Sequence, residues 1–176
     1  MTHAVASAWS VQFLALLAHL GVTDVVVSPG SRSQALALAA YDLSTHPDSE
    51  MSLHVAIDER TAGFLALGLT ISTGNPTVLV CTSGSAAGHY LPAVMEAHHS
   101  GLPLIVLTAD RPSRLIGVGA NQTTNHEGMF GEFARHGESL ELSNVTEVTE
   151  NAMQVAVGAL GLRTSTSALM THSAQH

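Results

Sequence analysis

The chain has 176 residues, 45% of them hydrophobic, with a mean hydropathy of +0.26. That is enough for one sizeable core and favours a single domain. Fourteen acidic residues against six arginines, with no lysine, give a formal charge of −8, which argues against nucleic acid or an anionic membrane surface as a partner. Cys81 is the single cysteine, so no intrachain disulfide forms. The apolar runs fall short of the roughly eighteen residues of a membrane span, and no secretory pattern opens the chain. The expectation is a cytoplasmic protein without a membrane span.

Two hydrophobic periods alternate along the sequence. Trp9, Phe13, Leu16, Leu17 and Leu20 share a helical face, and Gly21 supplies a stop before the β-branched run Val25-Val26-Val27. The strand breaks at Ser28-Pro29-Gly30, and the Ala- and Leu-rich stretch from Ser31 to Tyr41 predicts a second helix. A strand around Leu53 to Ile57 leads into Asp58-Glu59, where Asp58 is a candidate N-cap for a helix reaching Thr73. That helix is apolar nearly all round, which predicts burial on more than one side. Thr77 to Thr82 reads as a strand, Ser83-Gly84-Ser85 as a turn, Ala86 to His98 as a helix and Leu104 to Thr108 as a strand. Arg111 to Gly131 is loop-rich, Ser139 to Leu142 is a candidate strand, and Val145 to Leu160 has helical spacing. The tail from Arg163 is polar and reads as a frayed terminus. Apolar strands alternating with helices predict a three-layer α/β/α domain with an open, mostly parallel sheet over residues 1–163.

In such sheets ligands gather beyond the carboxyl ends of the strands. Four corners there carry polar chemistry: Pro29-Gly30-Ser31-Arg32-Ser33, Asp58-Glu59-Arg60, Thr82-Ser83-Gly84-Ser85 and Asp110-Arg111-Pro112, with Gly119-Ala120-Asn121-Gln122 further on. Each taken singly also suits a turn or cap, because strand-to-helix corners favour Gly, Ser and Asp. Capping is the expected use of the Ser83-Gly84-Ser85 turn. The eleven histidines show no convincing metal-ligand spacing, and most read as exposed or helix-end residues.

The strings PGSRS, IDERTAGFLALGL, TSGSA, LTADRP and GANQ, in this order and spacing, resemble the N-terminal domain of the 2-succinyl-5-enolpyruvyl-6-hydroxy-3-cyclohexene-1-carboxylate synthases, over roughly residues 8 to 162. The resemblance implies a thiamine-diphosphate-binding fold. It also implies a reaction of menaquinone synthesis that joins decarboxylated 2-oxoglutarate to isochorismate, with thiamine diphosphate and Mg²⁺ or Mn²⁺ as cofactors. It implies that Glu59 is the catalytic carboxyl at the cofactor's pyrimidine N1′, with Gln122 also at the cofactor. Ser31, Arg32, Arg111, Asn121 and Gln122 would line the substrate site. Desolvation at the head of an apolar helix would raise the pKa of Glu59. A plainer use of Glu59 is pairing with the helix dipole. Arg32 could be a surface helix residue, Arg111 an ion-pair partner of Asp110, and Asn121 and Gln122 supports for a turn.

The family's diphosphate and metal site belongs to a separate domain with a Gly-Asp-Gly signature, and no such string occurs here. The middle and diphosphate-binding domains are therefore expected to be absent from this chain, which alone would be inactive. Nor does the family's Gly-Pro-Val-His type strand follow Arg163. A homo-oligomer, dimer or tetramer, is the expected assembly, with the helix from Glu59 at the interface. A non-catalytic α/β binding or oligomerisation module derived from the same fold is the alternative.

Overall fold

The computed structural model describes residues 3–140. Five helices and four strands carry the fold: α1 (His3–His19), β1 (Asp24–Val27), α2 (Gln34–Thr45), β2 (Ser52–Val55), α3 (Glu59–Thr73), β3 (Thr77–Cys81), a 3₁₀ helix (Gly84–Tyr90), α4 (Leu91–Ser100) and β4 (Leu104–Thr108). All strand pairs are parallel, and the sheet order is β2-β1-β3-β4. Side chains alternate across each strand, so Val25, Val27, Val78 and Val80 face one layer while Val26, Leu79 and Cys81 face the other.

The first layer is α1 with α2. Phe13, Leu14 and Leu17 of α1 are fully buried there, and the Trp9 and Phe13 rings stack at 4.4 Å. Each such side chain contributes about 1.5–3 kcal/mol of burial. The second layer joins Ala62 and Ala66 of α3 to Tyr90 and Val94. There Gly63 lets α3 close on Ala93, since a Cβ at Gly63 would lie 2.9 Å from that residue's methyl. Helices on both faces of a parallel sheet give the α/β/α architecture expected from the sequence.

Two elements depart from expectation. The helix expected from Ala86 to His98 is a 3₁₀ helix followed by α4. Pro92 sits in the first turn of α4 and has no N–H to extend an α-helical ladder backwards. Helix α3 buries Ala62, Gly63, Ala66, Leu67 and Thr70 on one side only. Phe64, Leu65 and Ile71 on its other side are exposed, so the expected burial on more than one side is not met within the described chain. The helix expected over Val145–Leu160 and the polar tail lie outside the described residues, as does the end of the strand expected at Ser139–Leu142.

Candidate functional site

The strand order reverses between β1 and β3, since β2 lies outside β1 while β4 lies outside β3. A reversal of this kind opens a crevice at the carboxyl ends of the two strands. The chain leaves β1 through Ser28-Pro29-Gly30 and β3 through Thr82-Ser83-Gly84, and these two turns touch. A Cβ on Gly30 would lie 2.3 Å from the Cβ of Thr82, so glycine is required for the approach. The Arg32 amide then points at the Thr82 hydroxyl at 3.4 Å.

Glu59 follows β2 and is the first residue of α3. Asp58 is the N-cap of α3, accepting hydrogen bonds from the Arg60 and Thr61 amides, and its carboxylate also pairs with the Arg60 guanidinium. These contacts hold Asp58 well below the usual carboxylate range, the Arg60 hydrogen bond first. With Asp58 capping and Arg60 turned towards Asp58, Glu59 in the first helical turn is left for other work. It is half-buried. Its charge reaches two buried groups of the second layer. Burial, reinforced by Glu59, pushes the Cys81 thiol up to about 12. Burial likewise pushes the Tyr90 phenol upward, with Glu59 adding to it. The Tyr90 hydroxyl donates to the Val80 carbonyl at 2.8 Å. The Ser28 hydroxyl lies beside it, buried, and acts on the phenol in the opposite sense, lowering its pKa.

The other half of the crevice is a hydrogen-bonded cluster. Arg111, just past β4, donates through Nη1 to Ser83 Oγ at 2.8 Å. Ser83 Oγ donates to the Gln122 carbonyl at 3.0 Å, and Gln122 Nε2 returns a bond to the Ser83 carbonyl at 3.2 Å. The Asp110 carboxylate accepts from the Arg111 backbone amide at 2.7 Å, not from its guanidinium, so the ion pair considered from sequence does not form. Among the described residues neither Arg32 nor Arg111 is ion-paired. In a chain of charge −8, two guanidinium groups without a carboxylate partner, one after β1 and one after β4, favour a ligand carrying carboxylates.

The loop carrying Gln122 is latched a second time by His126. Its Nε2 lies 3.0 Å from the Gly84 carbonyl and its Nδ1 3.2 Å from the Thr108 hydroxyl. A carbonyl can only accept, so Nε2 carries a proton, and the Asp110 carboxylate lies 3.7 Å from Nδ1. A cavity of about 320 Å³ lies within the same loop, lined by Ile116, Gly119, Ala120 and Thr123 among others.

The structure thus ties Arg111 and Gln122 together through Ser83 beyond the ends of β3 and β4, while Arg32 is an exposed turn residue after β1 that meets this region through its backbone amide alone, and Glu59 opens α3 after β2. The side chains of Ser31 and Asn121 are exposed at the rim and outside the cluster's hydrogen bonds. The Thr82-Ser83 corner is legible in the sequence, but the capping expected of Ser83 is not met, since its side chain makes no capping hydrogen bond and joins Arg111 and Gln122 instead; His126 is not singled out by the sequence. His126 has only 10% of its side chain exposed, unlike the exposed or helix-end role expected of most histidines.

A parallel sheet with helices on both faces and a reversal of strand order between β1 and β3 defines the class, an α/β domain of the doubly wound type. The chain belongs to the thiamine pyrophosphate enzyme family, matching the model of its N-terminal TPP binding domain over residues 9–130. It is 49% identical over 157 residues to the 2-succinyl-5-enolpyruvyl-6-hydroxy-3-cyclohexene-1-carboxylate synthase of Leifsonia xyli subsp. xyli, covering 83% of this chain and 26% of that protein. The synthases so named in Clavibacter michiganensis (54% over 119 residues, 68% of this chain and 20% of the relative) and Sorangium cellulosum (45% over 159 residues, 88% and 25%) are also similar. The chain spans about a quarter of the length of the curated relatives it matches.

Proposed function

We propose that this chain is the pyrimidine-binding part of a thiamine-diphosphate-dependent synthase that joins decarboxylated 2-oxoglutarate to isochorismate, a step of menaquinone formation. The reading is supported by the Arg111–Ser83–Gln122 hydrogen-bonded cluster beyond β3 and β4, with Glu59 following β2 of the same parallel sheet and acting on the buried Cys81 and Tyr90. Thiamine diphosphate, when bound, supplies the electron sink for decarboxylation and carbon–carbon bond formation. Glu59 holds and exchanges a proton at the pyrimidine N1′, a task suited to a carboxyl between solvent and a buried layer. Arg32 and Arg111 grip substrate carboxylates, each through parallel N–H groups, while Ser31, Asn121 and Gln122 add neutral hydrogen bonds at the rim.

Among the described residues no group of three or more His, Cys, Asp or Glu could hold a metal. The proposal assigns Mg²⁺ or Mn²⁺ and the diphosphate to residues beyond them. Beside Glu59, α3 presents Phe64 at 50% exposure, Ile71 at 63% and Ile57 at 85% just ahead of the helix. An apolar surface of this kind at a half-built site supports association with a second subunit or a diphosphate-binding domain. No described helix is long and apolar enough to cross a membrane, and a cytoplasmic location is part of the proposal.

The test is carbon dioxide release from 2-oxoglutarate with isochorismate, thiamine diphosphate and Mg²⁺. It is run for this chain alone and with the diphosphate domain of a related synthase. Release in the mixture only is the expected result, and none in either, from folded samples, contradicts the proposal.

A further inference from the structure

We infer that Ser83 is a positioning residue for Arg111, acting through its side-chain hydroxyl. The inference rests on the reading of Arg111 as a carboxylate-binding residue given above. Ser83 stands at the N-cap of the 3₁₀ helix, yet its side chain makes no capping hydrogen bond. With 1% of the residue exposed, the hydroxyl is committed elsewhere. A serine hydroxyl has one proton and two lone pairs. The proton is directed to the Gln122 carbonyl at 3.0 Å, which fixes the rotor and leaves a lone pair facing Arg111 Nη1 at 2.8 Å.

Three consequences follow from that geometry. A neutral acceptor orients the guanidinium without cancelling its charge, which an aspartate at the same place would do, so the full positive charge stays available to an anion. One N–H of five is used, leaving enough donors for a two-point grip on a carboxylate. Finally, Gln122 adopts φ 52°, a conformation that L residues other than Asn and Asp seldom take. Its backbone carbonyl and its side-chain amide are both tied to Ser83. Ser83 therefore sets the guanidinium and the adjoining loop together, from β3, which lies between the strands that bear Arg32 and Arg111.

The experiment uses the full-length protein that carries these residues, as wild type, Ser83→Ala, Ser83→Thr, Arg111→Ala and the Ser83→Ala/Arg111→Ala double variant. Calorimetric affinity for 2-oxoglutarate and for isochorismate is measured beside steady-state kcat and KM. Loss of a hydrogen bond to a charged group predicts that Ser83→Ala weakens binding of one of the two carboxylate ligands about tenfold and raises its KM to match, with kcat little changed. Ser83→Thr, which keeps the hydroxyl, restores both, and Ser83→Ala adds nothing once Arg111 is already alanine. Unaltered affinity in a folded Ser83→Ala protein overturns the inference, as does a loss of the same size in the Arg111→Ala background. A wild type that binds both acids, shows this coupling and yet makes no product would refute the proposed reaction while leaving the role of Ser83 intact. A wild type that binds neither acid overturns both.

Discussion

Gly30→Ala tests the packing that creates the crevice. The added Cβ would meet Thr82 Cβ at 2.3 Å, with Thr82 Cγ2 at 2.6 Å and Oγ1 at 2.7 Å. The nearest of these atoms is attached directly to the backbone, so no rotamer change of Thr82 relieves the overlap, and the turns after β1 and β3 must separate. Overpacking of this kind costs about 1–3 kcal/mol. The gain from a stiffer unfolded chain, about 0.4–1 kcal/mol, offsets part of it. An overlap of 2.3 Å against an atom fixed to the backbone puts the cost at the upper end of its range, so a net loss of about 2 kcal/mol is expected. Gly68→Ala is the matched control, because a Cβ there has nothing within 4 Å and position 68 lies inside α3. Alanine in a helix interior is favoured over glycine by about 0.5–1 kcal/mol. Urea unfolding followed by circular dichroism reads both variants against wild type at constant m. A Gly30→Ala stability within about 0.5 kcal/mol of wild type, the range of ordinary surface changes, would refute the contact between the two turns.

Tyr90→Phe removes the hydroxyl that donates to the Val80 carbonyl. That carbonyl keeps the Ser28 amide at 2.8 Å, so the cost should stay near 1 kcal/mol, and urea unfolding showing a loss above about 3 kcal/mol would contradict the account. Cys81 is fully buried with its thiol pushed up to about 12, so iodoacetamide at pH 8 should label it only after unfolding. Labelling at the same rate in native buffer would count against this burial. The folded thiol keeps its proton where the unfolded one, with an ordinary pKa of about 8.5, has lost it. The unfolded state thus binds fewer protons, and stability should fall as pH rises from about 9 towards 12. Cys81→Ala should flatten that slope.

What the sequence disclosed depended on how local the physics was. Leu104–Thr108 is a continuous apolar run just after Pro103, and its bounds were read directly. Asp58 at the head of α3 was legible for the same reason, since a cap involves residues two and three positions away. The 3₁₀ segment was not read because the Ala-rich run hid the break at Pro92. The cluster around Arg111 was least legible. Ser83 meets Gln122 across 39 positions and Gly84 meets His126 across 42, and no periodicity encodes such pairs. Nothing local distinguishes His126 from the other histidines, and a serine beside Gly84 looks like any turn residue. Arg32, Arg111 and Gln122 are expected from the order of the family's motifs, and the structure adds what those motifs do not contain for two of them, the Ser83 group that holds Arg111 and Gln122.

The central claim, that Glu59 supplies the proton-exchanging carboxyl of a thiamine-diphosphate site, is tested most directly by Glu59→Gln. The variant is assayed for carbon dioxide release from 2-oxoglutarate with isochorismate in the presence of a diphosphate domain. The amide has the same shape and cannot exchange the proton, so turnover should be lost while urea unfolding and thermal stability remain close to wild type. Wild-type turnover by the glutamine variant would contradict the claim and return Glu59 to the simpler role of a helix-end charge.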